Sequence, residues 1–335
     1  MSALVIGGRI RLGPFQKLTF TSTERHLPMT QTLPRTPFHT PRAMAVALAL
    51  TLSLSACMTA KPIGLSAADA PVLSQERIAE IIASPDRSAA DRNNDIRRKP
   101  DQMLAFIGIR PGLTALDLSA GGGYSTELVA RAVGHAGRVY GQSAPPRAPD
   151  SPARPPVTPE GDSAPSMSPA PSPTAQVAAT PTVPSVRRTS AQALAERAKN
   201  PMLANIMSVV QPFEDPVPTA LAAGGLDLVT LMFNYHDLGH MGVDRARMNK
   251  AVFAGLKPGG LYVIADHSGR PGTGISEAGT LHRIEEAFLR REVESAGFEL
   301  TSEGNFLRNP ADPRDKNTPE PAQPKDEFIL KFVKP

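Results

Sequence analysis

Residues 226–233, Leu-Asp-Leu-Val-Thr-Leu-Met-Phe, constrain the fold of this chain more than any other segment. A near-continuous apolar run of this length is that of a strand covered on both faces, and such strands belong to parallel sheets with helices on either side. The flanking sequence repeats the alternation. Residues 114–118 read as a short apolar strand, 126–133 as a helix, 138–140 as the start of a second strand, 191–199 as a helix and 206–210 as a strand. Residues 244–256 are helical, 261–265 form another strand, and 277–296 make one long helix with Leu281, Ile284 and Phe288 on a single face. Two last strands, 298–301 and 328–333, pair as an antiparallel hairpin. Upstream, 74–83 carries Ile78, Ile81 and Ile82 at helical spacing, 91–98 is a charge-dense surface segment ending at Pro100, and 102–107 is a helix. The sum is an α/β chain with a doubly wound, mostly parallel sheet of about seven strands. That domain spans 101–335, with 58–100 as a tether and N-terminal helical segment.

The domain is interrupted. Residues 143–186 hold 13 of the chain's 35 prolines and no aromatic residue. A stretch of that composition buries too little apolar surface to offset its ordering entropy, so it is expected to be a disordered insertion. It does not separate two domains, because 58–142 would supply too few strands for a parallel sheet.

The front of the chain reads as an address. Residues 43–56 are uncharged and mostly apolar, shorter than the roughly 20 residues a membrane-spanning helix requires. They match the apolar core of a secretory signal, with Arg35, His39 and Arg42 as its basic flank. Leu54-Ser55-Ala56-Cys57 follows and resembles a bacterial lipobox, which makes Cys57 the expected lipidation site and puts the protein on the periplasmic face of a membrane, or in the periplasm if cleaved without lipid. Cys57 lies far from Met1 for such a signal, so Met29 is the expected start, 29–57 the signal and 1–28 an upstream extension. Cys57 is also the only cysteine, which excludes an internal disulfide framework or a cysteine-based metal site. The net charge of +4 without a long basic run, and the absence of tryptophan, argue against nucleic acid as a partner.

Chemistry concentrates where strands end. Asp117-Leu118-Ser119-Ala120-Gly121-Gly122-Gly123 lies between the first strand and the next helix, where glycines let backbone N–H groups approach a ligand and the helix N-terminus favours negative charge. The dinucleotide spacing G-x-G-x-x-G is absent, which disfavours a nicotinamide-dependent oxidoreductase. His236 and His267 each follow a strand at the sheet's carboxyl edge beside Asp237 and Asp266, so either is a candidate base. Their spacing matches no standard metal-ligand motif, and no metal is expected. His282-Arg283 on the long helix either reaches this site or pairs with acidic surface residues.

The loop resembles the acidic-x-Gly-x-Gly-x-Gly motif of class I S-adenosylmethionine (SAM)-dependent methyltransferases, with Ser119 in the first glycine's place. Residues 226–237 resemble that family's fourth strand and its polar exit, and Leu256-Lys257-Pro258-Gly259-Gly260-Leu261 its fifth-strand turn. Residues 84–87, 234–237, 270–274 and 306–310 are similar to a bacterial group of exported methyltransferases. The resemblance implies a Rossmann-like methyltransferase fold, SAM as cofactor and a small-molecule acceptor. Asp117, Ser119, Ala120, Gly121, Gly122 and Gly123 would hold the methionine part, with Asn234 and His236 facing the acceptor and His267 beside them. No carboxylate follows the second strand until Asp150, leaving Gln142 for the ribose and Glu214 and Asp215 for the adenine end. The rival is a non-enzymatic lipoprotein that keeps the scaffold as a binding module.

Overall fold

Apolar strands of this kind need partners on both edges and helices on both faces, and the chain supplies them. In the computed structural model, the residues described are 70–146, 188–319 and 322–335. The expected signal, Cys57, most of the tether and residues 147–186 of the expected insertion lie outside them. Strands β1 (Thr114–Leu118), β2 (Arg138–Ser143), β3 (Ile206–Val210), β4 (Leu226–Met232), β5 (Leu256–His267), β6 (Glu299–Gly304) and β7 (Glu327–Val333) form one sheet in the order β3-β2-β1-β4-β5-β7-β6. All neighbours are parallel except β7, which is antiparallel to both β5 and β6. This is the doubly wound, Rossmann-like α/β arrangement expected from the alternation. The order reverses between β1 and β4, so the crevice outside their carboxyl ends is the switch point where such sheets place ligands.

Each face has its own core. On one, α1 (Gln75–Ala83), α3 (Pro100–Ile107), α4 (Tyr124–Val133) and α5 (Ser190–Arg197) bury Ile78, Ile81, Leu104, Leu128 and Leu194 against Val139, Leu228 and Val263. On the other, α6 (Tyr235–His240), α7 (Arg245–Gly255) and α9 (Glu286–Glu294) close over Leu116, Val229, Tyr262 and Phe328. Ser74 and Asp244 start α1 and α7 by accepting backbone N–H bonds with their side chains, as their sequence positions indicate.

Four expectations change. Residues 91–98 belong to a helix, α2 (Ala89–Arg98), in which Asp91 is buried against Arg197 and Arg98 over the ring of Phe233. The described residues form a single compact unit, so the domain includes the N-terminal helices rather than beginning at 101. The long helix expected over 277–296 is broken into α8 (Ala278–Leu281) and α9, with His282 between them in a left-handed conformation (φ 51°). Finally, β6 and β7 are antiparallel but not a tight hairpin. Residues 305–326 connect them, tied down where Asn309 N–H donates to Asp326 Oδ1 (2.8 Å) and Asp326 N–H to Asp312 Oδ2 (2.7 Å). The Lys-Pro-Gly-Gly turn opens β5 as a bulge: Gly259 sits at φ 75° and its N–H bonds Lys334 O (2.7 Å).

Candidate active site

The glycine loop leaves β1 through Ser119, a non-glycine residue at φ 53°. A side chain in that conformation costs roughly 1–2 kcal/mol, and such strain concentrates at functional sites. Contacts hold it there. Ser119 N–H donates to Gln142 Oε1 (2.9 Å), and Ser119 Oγ donates to Asn234 Oδ1 (2.6 Å), linking the exits of β1 and β4 across the switch point. Ala120 N–H bonds Gln142 O (2.9 Å) and Gly123 N–H bonds Ala120 O (2.8 Å). Gly121 and Gly122 are left at the exposed tip of the loop, at the N-terminus of α4.

Asp117 does not face that opening. Its carboxylate is buried and accepts from Thr126 Oγ1 (2.6 Å), Ser125 Oγ (2.8 Å) and Thr230 Oγ1 (2.7 Å). Burial raises its pKa against the pull of these hydroxyls. The residue joins β1, α4 and β4, and so shapes the loop from beneath.

Gln142 is spent in the same way. Fully buried, it accepts from Ser119 N–H and donates through Nε2 to Gln211 O (2.6 Å), so neither end of its amide is offered to a ribose. Strand alternation turns the next residue, Ser143, to the opposite face, where it is half-buried. The polar group at the exit of β2 is therefore the Ser143 hydroxyl, which the sequence reading passed over. Glu214 is half-buried and Asp215 exposed in the loop beyond β3, and neither carboxylate bonds loop 119–123 among the described contacts.

A layer of ion pairs covers the start of α4. Tyr124 Oη donates to Asp95 Oδ1 (2.8 Å), and Asp95 pairs with Arg87 (2.7 Å). Arg197 of α5 donates from Nε to Gly122 O (2.6 Å), pairs with Asp91 (2.8 Å) and also bonds Glu127. Its side chain and Leu194 crowd Gly123, where an added Cβ would sit 2.9 Å from each; φ at Gly123 is 85°. Tightness and backbone conformation both require glycine there.

The histidines are placed differently from their sequence reading. His236 is wholly buried, with Nδ1 2.6 Å from Asp266 Oδ1 and Nε2 3.3 Å from Asp237 Oδ1. Burial alone would lower its pKa, but the two carboxylates outweigh it and hold the pKa up at about 10. Enclosed behind Asn234 and held by both carboxylates, the ring is not presented to an acceptor. His267 is also buried, with Nδ1 3.0 Å from Glu327 Oε1 and its ring between Phe233 and His236. Burial opposes ionisation of Glu327, yet His267, Arg98 and Arg97 keep its pKa below the usual value. Arg98 lies 3.7 Å over the Phe233 ring. His282 does reach the site: its Nδ1 lies 3.0 Å from Asp237 Oδ1. Arg283 turns away and forms a buried pair with Asp312 (2.9 Å). Asn234, half-buried, joins the two halves by donating from Nδ2 to Asp237 Oδ2 (2.9 Å) while accepting from Ser119.

The fold and site together define a Rossmann-like α/β domain with a glycine loop at its switch point. No family model and no curated protein matches the chain. Solved structures resemble it. A SAM-dependent methyltransferase from Aquifex aeolicus is 14% identical over 78% of this chain and 100% of its own, with a TM-score of 0.46. Geranyl diphosphate C-methyltransferase from Streptomyces coelicolor A3(2) is 13% identical over 79% and 90%, TM-score 0.44. The [4+2]-cyclase SpnF is 13% identical over 79% and 98%, TM-score 0.45. The fold assignment rests on the strand order and register, not on these likenesses.

Proposed function

We propose that this chain is a SAM-dependent methyltransferase with a small acceptor. The observation that carries the reading is the bond from Ser119 to Asn234, which draws the glycine loop and the polar exit of β4 together at the switch point. The chain's residues suit one end of the cofactor well. The exposed Gly121 and Gly122 at the start of α4 offer backbone N–H groups and a positive helix end to the amino-acid carboxylate. At the ribose end Ser143 offers a hydroxyl in place of a carboxylate. The bound cofactor would supply an electrophilic methyl group, leaving the protein to position the acceptor. Asn234 is the polar group best placed to orient it: unlike Gln142 it is half-buried, with one Nδ2 hydrogen not used in its bonds to Ser119 and Asp237, and His236 and His267 are buried behind it. Proton removal then falls to the acceptor's own acidity or to solvent.

Calorimetry on the full chain with SAM and with S-adenosylhomocysteine tests this reading. Saturable binding of both, weakened at least tenfold by Gly121→Val, is the expected result; no heat at millimolar ligand overturns it. The resemblance to exported proteins extends the proposal to a lipid anchor on Cys57. Radiolabelled palmitate should enter the wild-type protein and be absent from Cys57→Ser, and label in the variant would defeat the anchor.

A further inference from the structure

We propose that His236, Asp237 and His282 form a binding site for one divalent transition-metal ion of the zinc class. The inference is independent of the methyltransferase reading. Three donor atoms converge: His236 Nε2, Asp237 Oδ1 and His282 Nδ1, all within 4.8 Å of one another. The Asp237 oxygen lies 3.3 Å from the first nitrogen and 3.0 Å from the second. Bonds of about 2.0–2.2 Å to a single ion set ligand–ligand edges of roughly 2.9–3.4 Å, which these two separations match. The nitrogen–nitrogen edge need only close modestly. Two imidazoles and one carboxylate are a donor set for zinc, iron(II) or cobalt rather than calcium or magnesium.

Three further features point to an ion. First, His236 Nε2 is buried with no hydrogen-bond partner of good geometry. Its other nitrogen is held by Asp266 at 2.6 Å, so in the neutral ring Nδ1 carries the proton and the Nε2 lone pair faces the Asp237 carboxylate. The two facing groups are compatible only with a cation between them, a proton in the ion-free protein or a metal ion when one is bound. Second, the surroundings are those of a ligand's outer shell. Asp266 fixes the tautomer and also accepts the His236 N–H (2.8 Å), while Asn234 fixes the second oxygen of Asp237 (2.9 Å). Third, His282 reaches Asp237 only because the backbone breaks helix α8 from α9 at φ 51°, a conformation costly for a side-chain-bearing residue. His282 is the least enclosed of the three, 7% exposed against 0% for His236 and 2% for Asp237.

The test is cobalt(II) titration of the full chain after chelator treatment, followed by visible absorption. About one equivalent should bind with visible d–d bands, and zinc should bleach them. Asp237→Asn and His282→Asn should lose the bands; asparagine tolerates the left-handed backbone, so the second variant removes the ligand with little strain. His135→Ala, on the exposed face behind α4, should behave as wild type. His282→Cys should add a sulfur-to-cobalt charge-transfer band in the near ultraviolet, which only a direct bond at this position produces. No uptake at tens of micromolar cobalt, equal uptake by His282→Asn, or no new band in His282→Cys would each overturn the site. SAM binding measured on metal-free protein separates failure of this site from failure of the proposed activity.

Discussion

At the residue scale, the molecule depends on a few positions where side chain and backbone are both constrained. Gly123→Ala would force a Cβ against Arg197 and Leu194 in a left-handed conformation. The expected loss is about 2–4 kcal/mol of stability, read from urea unfolding, with SAM binding lost as well. Ser119→Ala would keep the strain but remove the bond to Asn234, costing about 1 kcal/mol and loosening the loop from β4. Ser143→Asp tests the ribose end: a carboxylate at the exit of β2 should tighten SAM severalfold in calorimetry, because charge-assisted bonds to a diol are stronger than a single hydroxyl's. Unchanged affinity would mean that the ribose lies elsewhere. The sequence already marked the loop, Asn234 and the histidines. It could not show that Asp117 and Gln142 are consumed internally, because their partners Thr230 and Gln211 lie 113 and 69 residues away.

At the element scale, α2 is decided by ion pairs rather than apolar surface. Its sequence, Ala-Ala-Asp-Arg-Asn-Asn-Asp-Ile-Arg-Arg, reads as solvated, and Ile96, its one large apolar residue, is 78% exposed. Its burial comes from Asp91 to Arg197, from Asp95 to Arg87 and Tyr124, and from Arg98 over Phe233. The turn before it is held by Asp86, whose pKa falls from 3.8 to about 2 through bonds from Arg131 and Asn200. A depressed carboxylate contributes stability above its unfolded pKa and loses it as pH falls toward the folded value. Urea midpoints for wild type and Asp86→Asn should therefore differ at pH 5, converge below about pH 4 and coincide near pH 2. Because Asp86 is part-exposed, the difference at pH 5 should be small.

At the scale of the whole molecule, the N-terminal helices are part of the domain core. Ile78 and Ile81 are each 1% exposed and pack in the cluster that contains Leu104, Leu128 and Val133. Removing everything before residue 101 strips that face, at about 1.5–3 kcal/mol for each isoleucine before the ion pairs are counted. A chain beginning at 101 should unfold at lower temperature than one beginning at 70 and bind a hydrophobic dye. A matching melting temperature would show the helices to be dispensable.

Periodicity and glycine chemistry are local properties, so the sequence alone determined the α/β class, the strand positions and the loop between β1 and α4. Apolar runs at 114–118 and 226–232 have no good fate other than a covered parallel sheet. The Lys-Pro-Gly-Gly turn likewise marks where β5 begins. Only the tertiary structure decided which polar groups meet. His282 lies 45 residues from Asp237, and a break in a helix brings the two side chains together. The same packing enclosed His236 between two carboxylates, one of them 30 residues away in the chain. Local pattern sets the elements; the electrostatics of a site arise from neighbours distant in the chain.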